Sequence, residues 1–100
     1  MKINVNQNLK SPKGDELTYA DSKEIITLKD VISDVLLTPT EKEEGKEKYI
    51  KYELCKKILE TKDIIELKTD EISDIKKLIG KIKPAWIVGQ TWDMLEGGEK

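Results

Sequence analysis

The chain has no histidine, no arginine and a single cysteine, Cys55. Without an imidazole Cys55 has no base beside it in the usual sense, and its apolar neighbours suit a buried, inert thiol. One cysteine also allows no internal disulfide. None of the four serines lies in a G-x-S-x-G elbow, so the familiar nucleophile and base pairs are missing. Neither G-x-x-x-x-G-K-[ST] nor G-x-G-x-x-G occurs, which removes the common phosphate cradles. Asp70 and Asp74 share a helix face. With no histidine or cysteine pair to join them, they read as residues that complement a helix dipole rather than as metal ligands. The expectation is a protein that is not an enzyme and that needs no cofactor and no metal. The first ten residues, MKINVNQNLK, lack the apolar core of a signal peptide. No stretch approaches the ~18 apolar residues of a membrane span. The expected setting is the cytoplasm, with no membrane partner.

What is present is charge. Charged residues make up 38% and hydrophobic residues 37% of 100 residues, with a formal net charge of −2. Such a chain forms one domain that buries roughly 60–70% of its unfolded surface, under a wet and charged exterior. A surface that is attractive to nucleic acid all over is excluded by the acidic balance, though a local basic patch is not. All eighteen basic residues are lysine. The guanidinium fork that reads guanine edges and clamps phosphates is therefore absent, although the same usage fits the coding bias of an AT-rich genome.

The patterning changes at Thr27. Before it, Ile3 and Val5 alternate with polar neighbours as in a half-buried strand. Lys13-Gly14-Asp15 signals a turn, and Glu24 to Ile26 supplies a second β-compatible run. Residues 1–26 thus read as a two-stranded ribbon with a long, polar and mobile connection over 17–22. A lone hairpin is marginal in water, so it must lean on helices. From Thr27 the period is helical. Thr27 and Asp30 resemble a capping box, and Leu28, Val31, Ile32, Val35 and Leu36 fall on one face. Thr38-Pro39 stops this helix, and Thr40 with Glu43 signals a second, over 41–60, which opens on solvated, fraying turns around Gly45. Its core face reads as Ile50, Leu54 and Ile58, joined by Tyr49, Cys55 and Leu59. Asp63 to Leu67 suits a short added strand. Thr69 caps a third helix with Ile72, Ile75, Leu78, Ile79 and Ile82 inward. A fourth helix starts at Pro84 and ends near Gly97. The fold expected is α+β: a single small domain, with an N-terminal β-ribbon over 1–26 packed on a bundle of about four short helices over 27–96, and a tail over 97–100.

Two patches are candidates for function. Lys76, Lys77, Lys81 and Lys83 lie near the end of the third helix, close to Trp86, and could hold phosphates while the ring stacks on a base. The same lysines also complement the negative end of the helix, which the acidic balance favours. The closing helix, KPAWIVGQTWDMLEGG, is apolar on more than one side. At ~100° per residue Ala85, Val88, Trp92 and Leu95 form a core stripe, with Ile87 and Met94 almost opposite and Trp86 and Gln90 in a third sector. Either Gly89 lets this helix pack tightly between two neighbours, or Trp86, Ile87, Gln90 and Met94 form a partner-binding patch.

The whole-chain pattern runs from MKINV through a turn at PKGD, TLKDVISDVLLTP and YELCKKILE to IIELKTDEISDIKKLIGKIKPAWIVGQTWDMLEG. It resembles a group of small, roughly hundred-residue proteins of tailed phages and prophages. The resemblance implies a phage context, a location in the host cell cytoplasm and no transferable catalytic residue. The leading expectation is a non-enzymatic protein-binding module, a phage-encoded modulator or inhibitor of a host or host-defence protein. One alternative is a virion assembly factor or chaperone acting as a homo-oligomer. The other is a nucleic-acid binder that uses the lysine cluster.

Overall fold

The structure is a computed structural model in which residues 1–19, 24–40 and 43–97 are described. The ribbon exists, but its second strand is not the one expected. β1 (Lys2–Asn4) pairs antiparallel with β2 (Ile64–Glu66), placing Ile3 opposite Ile65. Hydrogen bonds from Val5 N–H to Asp63 O (2.7 Å) and from Leu67 N–H to Met1 O (2.8 Å) continue the pairing at both ends. The run Glu24 to Ile26 instead folds back on the preceding loop through isolated bridges, such as Thr18 with Ile25. The chain leaving β1 serves another purpose. The first turn of α1 (Leu28–Leu37) has amide donors with no partner inside the helix, and Leu28 N–H and Lys29 N–H donate to Gln7 O and Val5 O at 2.9 Å. The turn at Lys13-Gly14-Asp15 is as expected: Gly14 N–H donates to Ser11 O at 2.9 Å, and Gly14 has φ of 94°, the left-handed region that favours glycine. Half of the connection expected to be mobile over 17–22, residues 20–22, lies outside the described residues, as do residues 98–100 of the expected tail.

α1 follows its sequence pattern closely. Thr27 N–H donates to Asp30 Oδ2 at 2.9 Å while Asp30 N–H donates to Thr27 Oγ1 at 3.4 Å, closing the capping box. All five residues of its apolar face are buried. α2 (Gly45–Glu60) begins four residues later than expected, and Glu44 is extended, with φ of −89° and ψ of 163°. The Thr40 and Glu43 signal is real but local. Glu43 Oε2 accepts from Thr40 N–H at 3.1 Å, and its other oxygen pairs with Lys51, so the carboxylate ties Thr40 to α2 rather than starting the helix.

α3 (Thr69–Ile82) is capped one residue before Thr69: Lys68 is the N-cap, and Glu71 reaches back to accept from its N–H at 2.9 Å. α4 (Ala85–Gly97) starts on Pro84, whose carbonyl accepts from Ile87 and Val88 N–H at 3.0 Å. α1 is the central element. It packs against both α2 and α3, while α3 also packs on α4 and α4 reaches β1. Ile3, Ile32, Ile58, Ile75, Ile79 and Leu95 meet in one continuous core, each contributing on the order of 1.5–3 kcal/mol by leaving water.

The buried face of α4 differs from the stripe read from sequence. Its centre is Thr91 and Leu95, both fully buried, whereas Ala85 is exposed. Thr91 escapes a hydrophobic pattern because it is polar, yet its hydroxyl is satisfied within the helix by donating to Ile87 O at 2.7 Å. The glycine that permits close approach is also a different one. A Cβ at Gly89 would meet nothing within 4 Å, while a Cβ at Gly80 would lie 3.2 Å from Trp92 Cζ2. Gly80 of α3 is therefore the seat of the Trp92 ring.

Candidate protein-binding surface

The four residues of the closing helix expected to form one patch are distributed among different tasks. Ile87 and Met94 are partly buried and pack against the core. Gln90 is engaged with the backbone of Lys10: Lys10 N–H donates to Gln90 Oε1 at 2.8 Å, and Gln90 Nε2 donates to Lys10 O at 2.9 Å. Trp86 alone of the four is exposed, at 37%. Trp92, by contrast, is half-buried and anchored. Its indole N–H donates to Lys76 O at 3.1 Å, and the Lys76 ammonium lies 4.8 Å from its ring centroid.

The lysine cluster divides in the same way. Lys76 pairs with Glu96 at 2.6 Å, and Lys83 pairs with Asp34 of α1. The first joins α3 to α4 and the second joins the residue that follows α3 to α1, which leaves Lys77 and Lys81 as the exposed residues of the four. Cys55 is buried. Burial pushes its thiol up from the ordinary value, with Ser33 beside it acting weakly the other way, so the nucleophilic thiolate is disfavoured.

The surface that stands out belongs to α2. Among the described residues nine large apolar side chains are exposed, and four of them lie on this one helix. Tyr49, Ile50, Tyr52 and Leu59 are 62%, 58%, 53% and 54% exposed. Three of these, Tyr49, Ile50 and Leu59, were expected in the core. The cause is that α2 is held mainly from one side. Cys55 and Ile58 meet α1, Leu54 is half-buried, and α2 and α3 do not pack closely together. At 100° per residue Ile50 and Tyr52 point in nearly opposite directions, so no single neighbour could cover both.

Apolar grooves lie on both flanks of α2. On one side Leu37, Pro39, Tyr52 and Leu59 border two shallow hollows of about 280 and 250 Å³. On the other, between α2 and α3, two larger hollows of about 370 and 520 Å³ share Ile50, Leu54 and Asp74 and form one furrow. Its floor is supplied by Leu36, Ile50, Leu54 and Leu78. Along its rim Tyr49 bonds to Glu53, which raises the phenol above its ordinary value, and the Tyr49 and Tyr52 rings lie 6.2 Å apart at 38°. At one end the Glu43–Lys51 ion pair is closely covered, with side chains 4% and 16% exposed.

Among the described residues no group of three or more cysteines or carboxylates is placed to hold a metal ion, and no helix is long and apolar enough to cross a membrane. Sequence reasoning passed over α2 because its apolar residues were assigned to one core face. The signal was nevertheless present: Tyr49, Ile50, Tyr52, Leu54, Cys55, Ile58 and Leu59 encircle the helix, the same argument that drew attention to the closing helix. No protein-family model, curated protein or solved structure matches the chain.

Proposed function

We propose that the protein is a non-enzymatic protein-binding module whose working element is α2. The observation that carries this reading is the concentration of exposed Tyr49, Ile50, Tyr52 and Leu59 on one helix beside apolar grooves. Large apolar side chains left exposed beside apolar grooves on both flanks of one helix are costly to leave in water, and exposed apolar patches usually mark an interface. Tyrosines at its edge add contact area at little entropic cost. The phage-encoded modulator of a host protein is the specific form suggested by the sequence resemblance, and that part of the reading rests on the resemblance alone.

The test is affinity capture with the wild-type chain and two variants, each checked for native circular dichroism. Ile50→Ser removes an apolar side chain from α2, and Trp86→Ala removes the exposed large apolar side chain of α4. The expected result is that Ile50→Ser loses the captured protein while Trp86→Ala retains it. Loss with Trp86→Ala alone would return the working surface to α4, and capture unaffected by Ile50→Ser would remove α2 from the reading.

A further inference from the structure

The furrow between α2 and α3 has a charge as well as an apolar floor, and the two together define what fits it. Six carboxylates line it, Glu43, Glu47, Glu53, Asp70, Glu71 and Asp74, against four lysines. One pair, Glu43 with Lys51, is internally neutral, while Lys57, Lys68 and Lys77 keep their charge, so six carboxylates against four lysines leave the lining a net formal charge of −2. Glu47, Asp70 and Asp74 are exposed and make no ion pair among the described residues. Asp70 and Asp74 also complement the N-terminal end of α3. That role does not account for Glu47, which reaches the same furrow from α2, where Glu53 is bonded to Tyr49.

We infer that this furrow receives a basic amphipathic helix of a partner protein, with aliphatic side chains seated on Ile50 and Leu54 and lysine or arginine directed at Glu47 and Asp74. The inference rests on the protein-binding reading of α2 and names the class of partner. The lining contributed by α2 runs from Glu47 to Lys57, roughly 15 Å or three helical turns, a length suited to anchors at i, i+3 or i+4 and i+7 of an incoming helix. A second copy of the chain fits poorly through this face. A two-fold contact would set the same patch against itself, acid against acid.

The experiment titrates the full chain with three labelled synthetic peptides of identical length: a helix of leucines and lysines patterned at those anchor spacings, the same helix with glutamate in place of lysine, and a scramble of the first. Anisotropy is expected to show the lysine helix binding at least about tenfold more tightly than the other two, with affinity falling as salt is added. Ile50→Ser should weaken the lysine helix about tenfold. The double reversal Glu47→Lys with Asp74→Lys should weaken it further and raise affinity for the glutamate helix. Equal binding of the glutamate or scrambled peptide, or indifference to the charge reversal, would overturn the proposal. So would a wild-type dimer in sedimentation that Ile50→Ser dissociates, because the occupant would then be a second copy. If the lysine peptide fails to bind while protein capture still depends on Ile50, the basic-helix proposal falls and the α2 reading stands. If Ile50→Ser alters neither, both fall.

Discussion

Gln90 grips the backbone of Lys10 with both ends of its amide, accepting from Lys10 N–H at 2.8 Å and donating to Lys10 O at 2.9 Å. A side chain of α4 thus does for the N-terminal loop what a neighbouring strand would do, across 80 residues of sequence. Each such bond is worth about 0.5–1.5 kcal/mol net. Gln90→Ala is expected to destabilise by about 1 kcal/mol, lowering the midpoint of thermal unfolding by roughly 4–8 °C. Gln90→Glu should be worse, since a carboxylate cannot donate to Lys10 O. Amide exchange at Lys10 checks the cause: it should accelerate in both variants. Unchanged exchange with reduced protein capture would instead give Gln90 a place in the partner surface.

The pattern of successes and failures in the sequence reading has a physical basis. α1 was legible because local rules coincide there: Thr27 and Asp30 form a capping box, and five apolar residues at helical spacing are all buried. The ribbon's existence was legible from Ile3 and Val5, and Asp63 to Leu67 was legible as a strand added to it, but not as the direct partner of β1 in place of Glu24 to Ile26. β-pairing joins residues far apart in sequence, and Asp63 to Leu67 competes with Glu24 to Ile26 on composition alone. Thr91 was missed because a threonine whose hydroxyl bonds to Ile87 O can be buried at little cost. The exposed face of α2 was missed for the opposite reason. Periodicity places Ile50 on a stripe with Leu54, but only the tertiary arrangement decides whether a neighbour arrives to cover it.

Two glycines of the helical part are expected to respond oppositely to alanine. Gly89 is exposed and has open space where a Cβ would go, so Gly89→Ala should stabilise by up to about 1 kcal/mol through helix propensity. At Gly80 the same gain is opposed by the Trp92 ring, 3.2 Å from the new carbon. That ring is held by its bond to Lys76 O and by the ammonium of Lys76, so it yields only by straining both. Gly80→Ala should therefore be less stable than Gly89→Ala, with a changed Trp92 near-ultraviolet signal. Equal stabilisation by both substitutions would show that Trp92 moves freely.

Acid should selectively weaken the tie that Glu43 makes between Thr40 and α2. The Glu43 carboxyl is held below its ordinary value of 4.5, first by the Lys51 ammonium and then by the Thr40 amide. The folded state therefore binds fewer protons than the unfolded chain. The stabilisation is fully present above pH 4.5 and is lost as pH falls through the depressed folded value. Glu43→Gln should be less stable than wild type at neutral pH, with the gap closing in acid. Urea midpoints measured across that range test this, and a gap that persists in acid would mean the ion pair is not its source.

The division of α2 into a held side and an open side makes a sharp expectation about stability. Ile58 is fully buried against α1 and Ile50 is 58% exposed, although both were expected on one core face. Ile58→Ala removes packed volume that the core cannot refill, and should cost about 2–5 kcal/mol. Ile50→Ser sits at a position already largely in water, and should change stability by no more than about 0.5 kcal/mol. Urea unfolding of the two variants beside wild type decides it. A loss at Ile50 approaching that at Ile58 would mean α3 closes over α2 in solution, leaving no furrow for a partner to enter.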